Sequence, residues 1–343
     1  MKKAVSAFVA TPRQYSVSLI GLGRMGRRHA RVFSGLPARF RVVGAFDVAP
    51  NSEISAPSTA SRLESEAEAI AKSELLVIAT PTETHLGCAV RALSAGRHVL
   101  VEKPLCGRAS EAMFLADLAS RGPGRLFVGH SERFNPVVRA LYRLLRDDPA
   151  VAIDLRRVGP SRPSEVGALL NMGVHDFDLA AYLAGCEISL HSAVARCAPG
   201  AKVEDLAHVL FTTAAGAAGH LYVDRTQVVR SRTVTWTTAR WTYEGDLLGH
   251  RLWRTPRPSG ERSEVPLPAE EPLVAQALAL ADALDGRPSR ELATARDGAR
   301  AVELAERAAV PWGALGQAER AEISDEAEME SHKARRPRRP TSG

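Results

Sequence analysis

The segment that most limits what this chain can become is Gly21-Leu22-Gly23-Arg24-Met25-Gly26. The apolar run Val17-Ser18-Leu19-Ile20 leads into it, and Arg27 to Phe33 leaves it with a helical pattern. A second strand-like run, Arg41 to Phe46, then ends in Asp47. Strand, glycine turn, helix, strand and acid in that order describe a dinucleotide-binding unit. Gly21 permits the tight turn, Gly23 lets backbone approach a pyrophosphate, and Gly26 lets helix and strand pack closely. The phosphates belong at the helix N-terminus, where unbonded N–H groups and the dipole favour an anion. Arg24 and Met25, in the same turn, are expected cofactor contacts. Asp47 stands about 20 residues past the last glycine, where a carboxylate can bond both ribose hydroxyls. It would repel a 2′-phosphate, which favours NAD over NADP, although Arg24 partly offsets that repulsion.

The pattern continues as alternating strands and helices. Ser65-Glu66-Ala67-Glu68 has the form of an N-terminal capping box. Leu75 to Ala79 predicts a buried strand, Leu86 to Ala95 a helix closed by Gly96, and His98 to Val101 another strand. Ser110 is positioned to cap a helix running to Ser120, and Leu126 to Gly129 predicts one more strand. Such spacing implies a parallel sheet covered on both faces. After a helical segment over Val137 to Arg146 the character changes. Val151–Val158, Ser192–Cys197, Ala207–Thr213, Ala218–Asp224, Thr233–Thr238 and Trp241–Tyr243 read as strands, several alternating in polarity as a half-wetted sheet does. Asn171 to Leu183 interrupts them as a helix, and two helices, Pro272–Leu284 and Ala293–Ala309, close the pattern around Asp285-Gly286-Arg287-Pro288.

At 343 residues two compact units are expected. Four segments follow: an N-terminal extension over 1–15, a nucleotide-binding unit over 16–136, an α/β substrate and oligomerisation unit over 137–311, and a charged tail over 312–343. Five of the six net positive charges come from the end of that tail, Ser331 to Gly343, where Lys333, Arg335, Arg336, Arg338 and Arg339 stand with no acid. The body is therefore close to neutral, and the basic excess does not argue for nucleic acid. Cys88, Cys106, Cys186 and Cys197 form no C-x-x-C pair, so neither zinc nor disulfides are indicated and a reducing, cytoplasmic setting is expected. No apolar run approaches the roughly 20 residues of a membrane helix. Lys2 and Lys3 ahead of Ala4 to Ala10 imitate a secretory leader only faintly, because the stretch is short and includes Ser6.

Two further loops sit at expected strand carboxyl ends, where open α/β sheets bind ligands. Thr80 and Pro81 are candidates to shape a ribose pocket, and His85 to hydrogen-bond at a helix start. Glu102-Lys103-Pro104 follows the strand after that and brings a lysine capable of acid–base work to the same edge.

With these elements in view the chain resembles the glucose–fructose oxidoreductase, inositol dehydrogenase and MocA family, Gfo/Idh/MocA. The matching elements are the glycine turn with His29, Ala79-Thr80-Pro81 with His85, and Gly96 through Leu105. Gly129-His130-Ser131-Glu132-Arg133-Phe134-Asn135-Pro136 and Gly173-Val174-His175-Asp176-Phe177-Asp178 complete them, in the family's order from Val17 to Leu183. The resemblance implies a Rossmann doubly wound parallel sheet, joined to an α+β domain with a large, mostly antiparallel open sheet, and an active site between them. It implies that Glu102 and Lys103 lie beside the cofactor, and that Lys103 holds the reacting oxygen and helps move its proton. A desolvated, cation-adjacent setting would lower its pKa. His175 matches the family's second-domain histidine, the general base for the alcohol, with Asp178 on the same helix face to orient it. A metal role for His175, Asp176 and Asp178 is not expected. Many polyol dehydrogenases of the family carry aspartate four residues before the histidine; this chain has Asn171, as some nucleotide-sugar members do. Arg133, Asn135 and Asp178 are candidate substrate contacts. The resemblance thus implies a dehydrogenase acting on a ring hydroxyl of a nucleotide-linked or amino sugar, assembled as a homodimer or homotetramer through the second sheet. Inositol or polyol oxidation, an NAD-dependent glycosidase and a non-catalytic sensor of NAD or sugar are the alternatives on the same scaffold.

Overall fold

The computed structural model describes residues 13–49, 61–160, 166–287 and 289–310. The expected extension up to residue 12 and the charged tail lie outside the described residues. Six parallel strands form the first sheet: β1 (Tyr15–Ile20), β2 (Phe40–Phe46), β3 (Ser61–Arg62), β4 (Leu75–Ile78), β5 (His98–Val101) and β6 (Leu126–Val128). Their order is β3-β2-β1-β4-β5-β6, the doubly wound arrangement. All four residues of β4 are buried, as expected of a strand covered on both faces. The helices α1 (Arg24–Ser34), α2 (Glu66–Lys72), α3 (Thr82–Ser94) and α4 (Ala109–Arg121) link these strands. The strand order reverses between β1 and β4, so the connections leave in opposite directions there. That opens a crevice at their carboxyl ends.

A 3-10 turn (Ser131–Phe134) and α5 (Pro136–Leu144) carry the chain to the second layer. It comprises β7 (Ala150–Val158), β8 (Ile188–Arg196), β9 (Leu206–Thr213), β10 (Ala218–Asp224), β11 (Ser231–Thr238), β12 (Trp241–Asp246), β13 (Arg251–Pro256) and β14 (Ser263–Val265). The order is β14-β13-β12-β11-β7-β10-β9-β8, and only the β7–β10 pair is parallel. Alternation decides which face is inner: Ala207, Val209, Phe211 and Thr213 of β9 are buried while His208 and Leu210 are open. The inner face packs on α6 (Val174–Ala184), with Leu155, Phe177, Phe211, Leu221 and Trp236 in one core.

The last two helices tie the layers together. Ala277, Leu280 and Ala281 of α7 (Pro272–Leu284) enter the core of Tyr15, Phe33 and Phe40. Tyr15 donates its hydroxyl to Asp285 at 2.8 Å, and Arg39 bonds Asp282 and Asp285 at 3.0 and 2.7 Å. In α8 (Ala295–Ala309), Ala299 and Val302 face the first layer and Ala301, Leu304 and Ala305 the second. The first core is therefore completed by residues that follow the second sheet in the chain.

Several local expectations change. β3, β13 and β14 carry no apolar signal strong enough to read; β3 and β14 are short edge strands joined by backbone pairing. Ser110 lies inside the first turn of α4, whose N-cap is Arg108. The Ser65 hydroxyl does accept from the Glu68 N–H at 3.1 Å, but the Glu68 carboxylate reaches back to the Glu64 N–H instead of Ser65. Among the described residues no helix is long and apolar enough to cross a membrane, and the four cysteines are unpaired.

Candidate active site

The glycine turn between β1 and α1 has the geometry its spacing requires. Gly21 has φ +90°, and a Cβ there would stand 2.8 Å from the Ala79 carbonyl carbon across the crevice. A Cβ on Gly26 would come within 1.9 Å of the Gly21 carbonyl oxygen, so helix and turn touch through bare backbone. Gly23 differs, because a Cβ there would meet nothing within 4 Å. The protein's own packing leaves that side open at the N-terminus of α1, where no acid occupies the first turn and no side chain caps it. These features fit a dinucleotide pyrophosphate. Arg24 is exposed beside the turn and Met25 half-buried within it. The Asp47 carboxylate accepts from the Leu22 N–H at 2.6 Å and the Ala49 N–H at 2.8 Å, which draws the end of β2 onto the glycine turn.

Across the crevice, Thr80 accepts the Thr84 hydroxyl at 2.7 Å and Pro81 starts α3. His85 is buried with its ring nitrogens 3.0 Å from the carbonyl oxygens of both Thr80 and Pro104. It bridges the loops after β4 and β5 as internal architecture.

Lys103 leaves the end of β5 half-buried and points to the second layer. Its Nζ donates to the Asn171 backbone oxygen at 2.8 Å, with the Asn171 Oδ1 3.5 Å away. Behind it, Glu102 is buried; one carboxylate oxygen accepts the Lys103 N–H at 3.1 Å and the other lies 2.7 Å from His29 Nε2. Burial works against ionisation of Glu102, but the His29 hydrogen bond and the Lys103 charge outweigh it and hold the carboxyl below its usual range. Lys103 itself is lowered to about 8, first by burial, with Glu102 opposing and Arg157, Arg232 and Arg24 adding to the depression. A lysine so tuned exchanges its proton near neutrality.

The opposite wall is a π-helical turn, Leu169–Gly173, running directly into α6. Such turns are short and recur at functional sites. Glu204 holds this one, its carboxylate accepting the Leu169 N–H at 2.9 Å. His175 follows in the first turn of α6, and its Nδ1 is buried without a hydrogen-bond partner. Burial first, and then the charges of Lys103 and Arg157, push its pKa well below the usual imidazole value, so the ring is neutral. A neutral imidazole beside a lysine is able to accept a hydroxyl proton.

Asp178 does not orient His175, contrary to the sequence expectation. Its two oxygens take Arg133 in a bidentate pair at 2.9 and 2.6 Å, with side-chain exposures of 5% and 2%. A charged fork outcompetes a neutral ring for a carboxylate. Asn135, expected at the substrate, donates to the Leu247 carbonyl at 2.9 Å and accepts the Val137 N–H, capping α5. Arg133 also lies over the Tyr182 ring at 4.7 Å. These three residues fasten the first layer to the second rather than lining the cleft.

Five groups without an assigned role, Arg157, Asp176, Glu132, Arg232 and His130, complete the site. Arg157 of β7 grips Asp176 through two bonds of 2.9 Å and reaches Glu132 at 3.2 Å. Arg232 of β11 bonds the same Glu132 oxygen at 2.7 Å. His130, buried and edge-on to His175 with ring centroids 6.2 Å apart, completes the wall. With Asp176 and Asp178 both taken by arginines, no group of three or more His, Cys, Asp or Glu among the described residues is arranged for a metal.

Comparison with known proteins agrees with this architecture. Residues 15–130 match the model described as an oxidoreductase family with an NAD-binding Rossmann fold, and residues 138–243 match the Gfo/Idh/MocA C-terminal domain. The chain belongs to the Gfo/Idh/MocA oxidoreductase family. It is 29% identical over 173 residues to the UDP-N-acetylglucosamine 3-dehydrogenase of Acidithiobacillus ferrooxidans, covering 49% of this chain and 54% of that protein. It is 31% identical over 180 residues to an inositol 2-dehydrogenase of Rhizobium meliloti, with the same two shares. The chain thus spans about half the length of the curated relatives it matches. The solved structure of the Acidithiobacillus enzyme superposes with a TM-score of 0.79 over 87% of this chain and 97% of that one, at 24% identity, a likeness of fold.

Proposed function

We propose that this protein is an NAD-dependent dehydrogenase of a sugar ring hydroxyl, with a nucleotide-linked or amino sugar as the favoured substrate class. The observation that carries the reading is the meeting of Lys103, held 2.8 Å from the Asn171 carbonyl, with a neutral His175 whose Nδ1 has no partner. When bound, NAD supplies the hydride acceptor for the carbinol carbon. His175 takes the hydroxyl proton, and protonated Lys103 donates a hydrogen bond to the developing alkoxide. Asn171 holds the lysine in reach. Gly21, Gly23, Gly26, Arg24 and Met25 bind the pyrophosphate side, while Asp47, Thr80, Pro81 and Glu102 border the ribose and nicotinamide. Residues 16–136 serve the cofactor and 137–311 the substrate, in a cytoplasmic homo-oligomer paired through the second sheet.

The test is stoichiometric. Purified protein with NAD and UDP-N-acetylhexosamines should form one NADH per keto-sugar. Hydrolysis on tightly held cofactor without added NAD would instead support a glycosidase, and cofactor binding without turnover on any nucleotide sugar or inositol a sensor. Inositol turnover exceeding that of every nucleotide sugar would shift the assignment to the polyol branch, to which one relative belongs.

The Asp47 carboxylate also makes a prediction. Replacing it with serine removes the charge that repels a 2′-phosphate. The NAD:NADP ratio of kcat/KM is expected to fall by about tenfold or more, equivalent to roughly 1.4 kcal/mol. An unchanged ratio would assign Asp47 solely to holding the Leu22 and Ala49 backbone.

A further inference from the structure

Arg232 is the open charge of this cluster, and Arg157 and the two acids lie behind it. The Arg232 side chain is 37% exposed, whereas those of Glu132, Asp176 and Arg157 are 11%, 3% and 3% exposed. A single Glu132 oxygen receives both Arg232 and Arg157, and Asp176 is already engaged by Arg157. Arg232 therefore has half of one carboxylate as its counter-ion. Among the described residues its Nε and Nη2 meet no acceptor. Burial and the neighbouring Arg157 guanidinium even push its pKa below the ordinary arginine value. Its location matters: it pairs in register with Arg157 across β11 and β7, and its charge reaches both Lys103 and His175. A guanidinium in register with a second one, partly exposed, with Nε and Nη2 unbonded among the described residues and its charge felt at Lys103 and His175, has the makings of an anion contact.

We propose that Arg232 recognises an anionic group on the substrate, so that the substrate is a sugar bearing a phosphate, diphosphate or carboxylate near the oxidised ring. Glu132 holds the guanidinium in place from the first layer, and Arg157 behind it keeps that carboxylate from neutralising it fully. This inference rests on the dehydrogenase reading for its chemistry, but the anion site is measurable without turnover.

Wild type, Arg232→Gln and Arg232→Lys are compared with a UDP-sugar, a sugar phosphate, a uronate and a neutral cyclitol, and thermal shifts are read with UDP, inorganic phosphate, glucuronate and NAD. Loss of a charge-assisted contact is expected to lower the anionic-to-neutral ratio of kcat/KM by at least about tenfold in Arg232→Gln, chiefly through KM, with partial rescue in Arg232→Lys. The stabilisation given by whichever anion protects wild type should disappear in Arg232→Gln, while that given by NAD persists and reports a folded protein. Protection by UDP, by phosphate or by glucuronate identifies the source of the charge. Equal effects on anionic and neutral sugars, or a loss confined to kcat with a displaced pH profile, would overturn the proposal and leave Arg232 as an electrostatic neighbour of Lys103. Anion protection dependent on Arg232 without oxidation of any sugar would uphold the site and sink the dehydrogenase reading instead.

Discussion

Lys103→Ala is expected to bind NAD and to turn over at least about a hundredfold more slowly than the parent enzyme. The cofactor side of the cleft rests on the glycine turn, Asp47 and the free end of α1, none of which the substitution touches. What it removes is a donor aimed from the first layer at the Asn171 wall, and with it the electrostatic hold on a developing alkoxide. The folded pKa of about 8 lies below the ordinary 10.5, because burial and the charges of Arg157, Arg232 and Arg24 disfavour the ammonium. That penalty is fully present below about pH 8 and fades as pH rises toward 10.5. Deleting the group should therefore not lower stability at neutral pH, and the stability of the parent relative to the variant should improve across that window. The same ionisation shapes the rate. For oxidation, kcat/KM should fall above about pH 8 as Lys103 loses its proton, and a bound cationic ring moves that limb lower still. In Lys103→Arg the limb should be absent from whatever activity is left. Near-normal turnover of Lys103→Ala, measured by NADH formation, would remove the lysine from the mechanism.

The first layer was legible because its signals are local and redundant. The glycine turn, an acid one strand later and the buried runs of β4 and β5 each specify the same parallel sheet. In the second layer the alternating strands β9 and β10 could be read, whereas β13 and β14 are held by edge pairing that side-chain pattern does not encode. Of the candidate site residues, Lys103 and Asn171 are in contact at 2.8 Å and His175 stands in the first turn of the helix that follows. Arg157 and Arg232 were visible in principle: each occupies the inward register of a strand, in line with Ile153 and Leu155 or Val234 and Trp236. A charge at an inward position needs a buried partner, and Glu132 and Asp176 are those partners. The misreading of Asp178 has a different cause. Helical spacing correctly put it on the face of His175, but spacing along one helix says nothing about a guanidinium arriving from another element.

That guanidinium defines the second large effect. Asp178→Ala strands the buried Arg133 charge, leaving Asp297 at 3.5 Å, the Arg290 carbonyl oxygen at 3.4 Å and the Tyr182 ring to face it. Removing one partner of a buried pair costs about 3–5 kcal/mol, and chemical unfolding should register a loss of that order. Burial opposes the Arg133 charge and Asp178 more than compensates, holding its pKa above the ordinary value, so the pair is the source of that stability. The double variant Arg133→Met with Asp178→Leu leaves no charge uncompensated between them and should recover most of the loss, because apolar replacement of a whole buried pair is nearly neutral. Its activity separates two roles for the carboxylate. If Asp178 aligned the imidazole of His175, the double variant would be stable but slow, and no repacking would restore it. If Asp178 serves Arg133, as the 2.9 and 2.6 Å contacts indicate, the double variant should regain turnover together with stability, because the loop carrying Glu132 and the helix carrying His175 are again clasped.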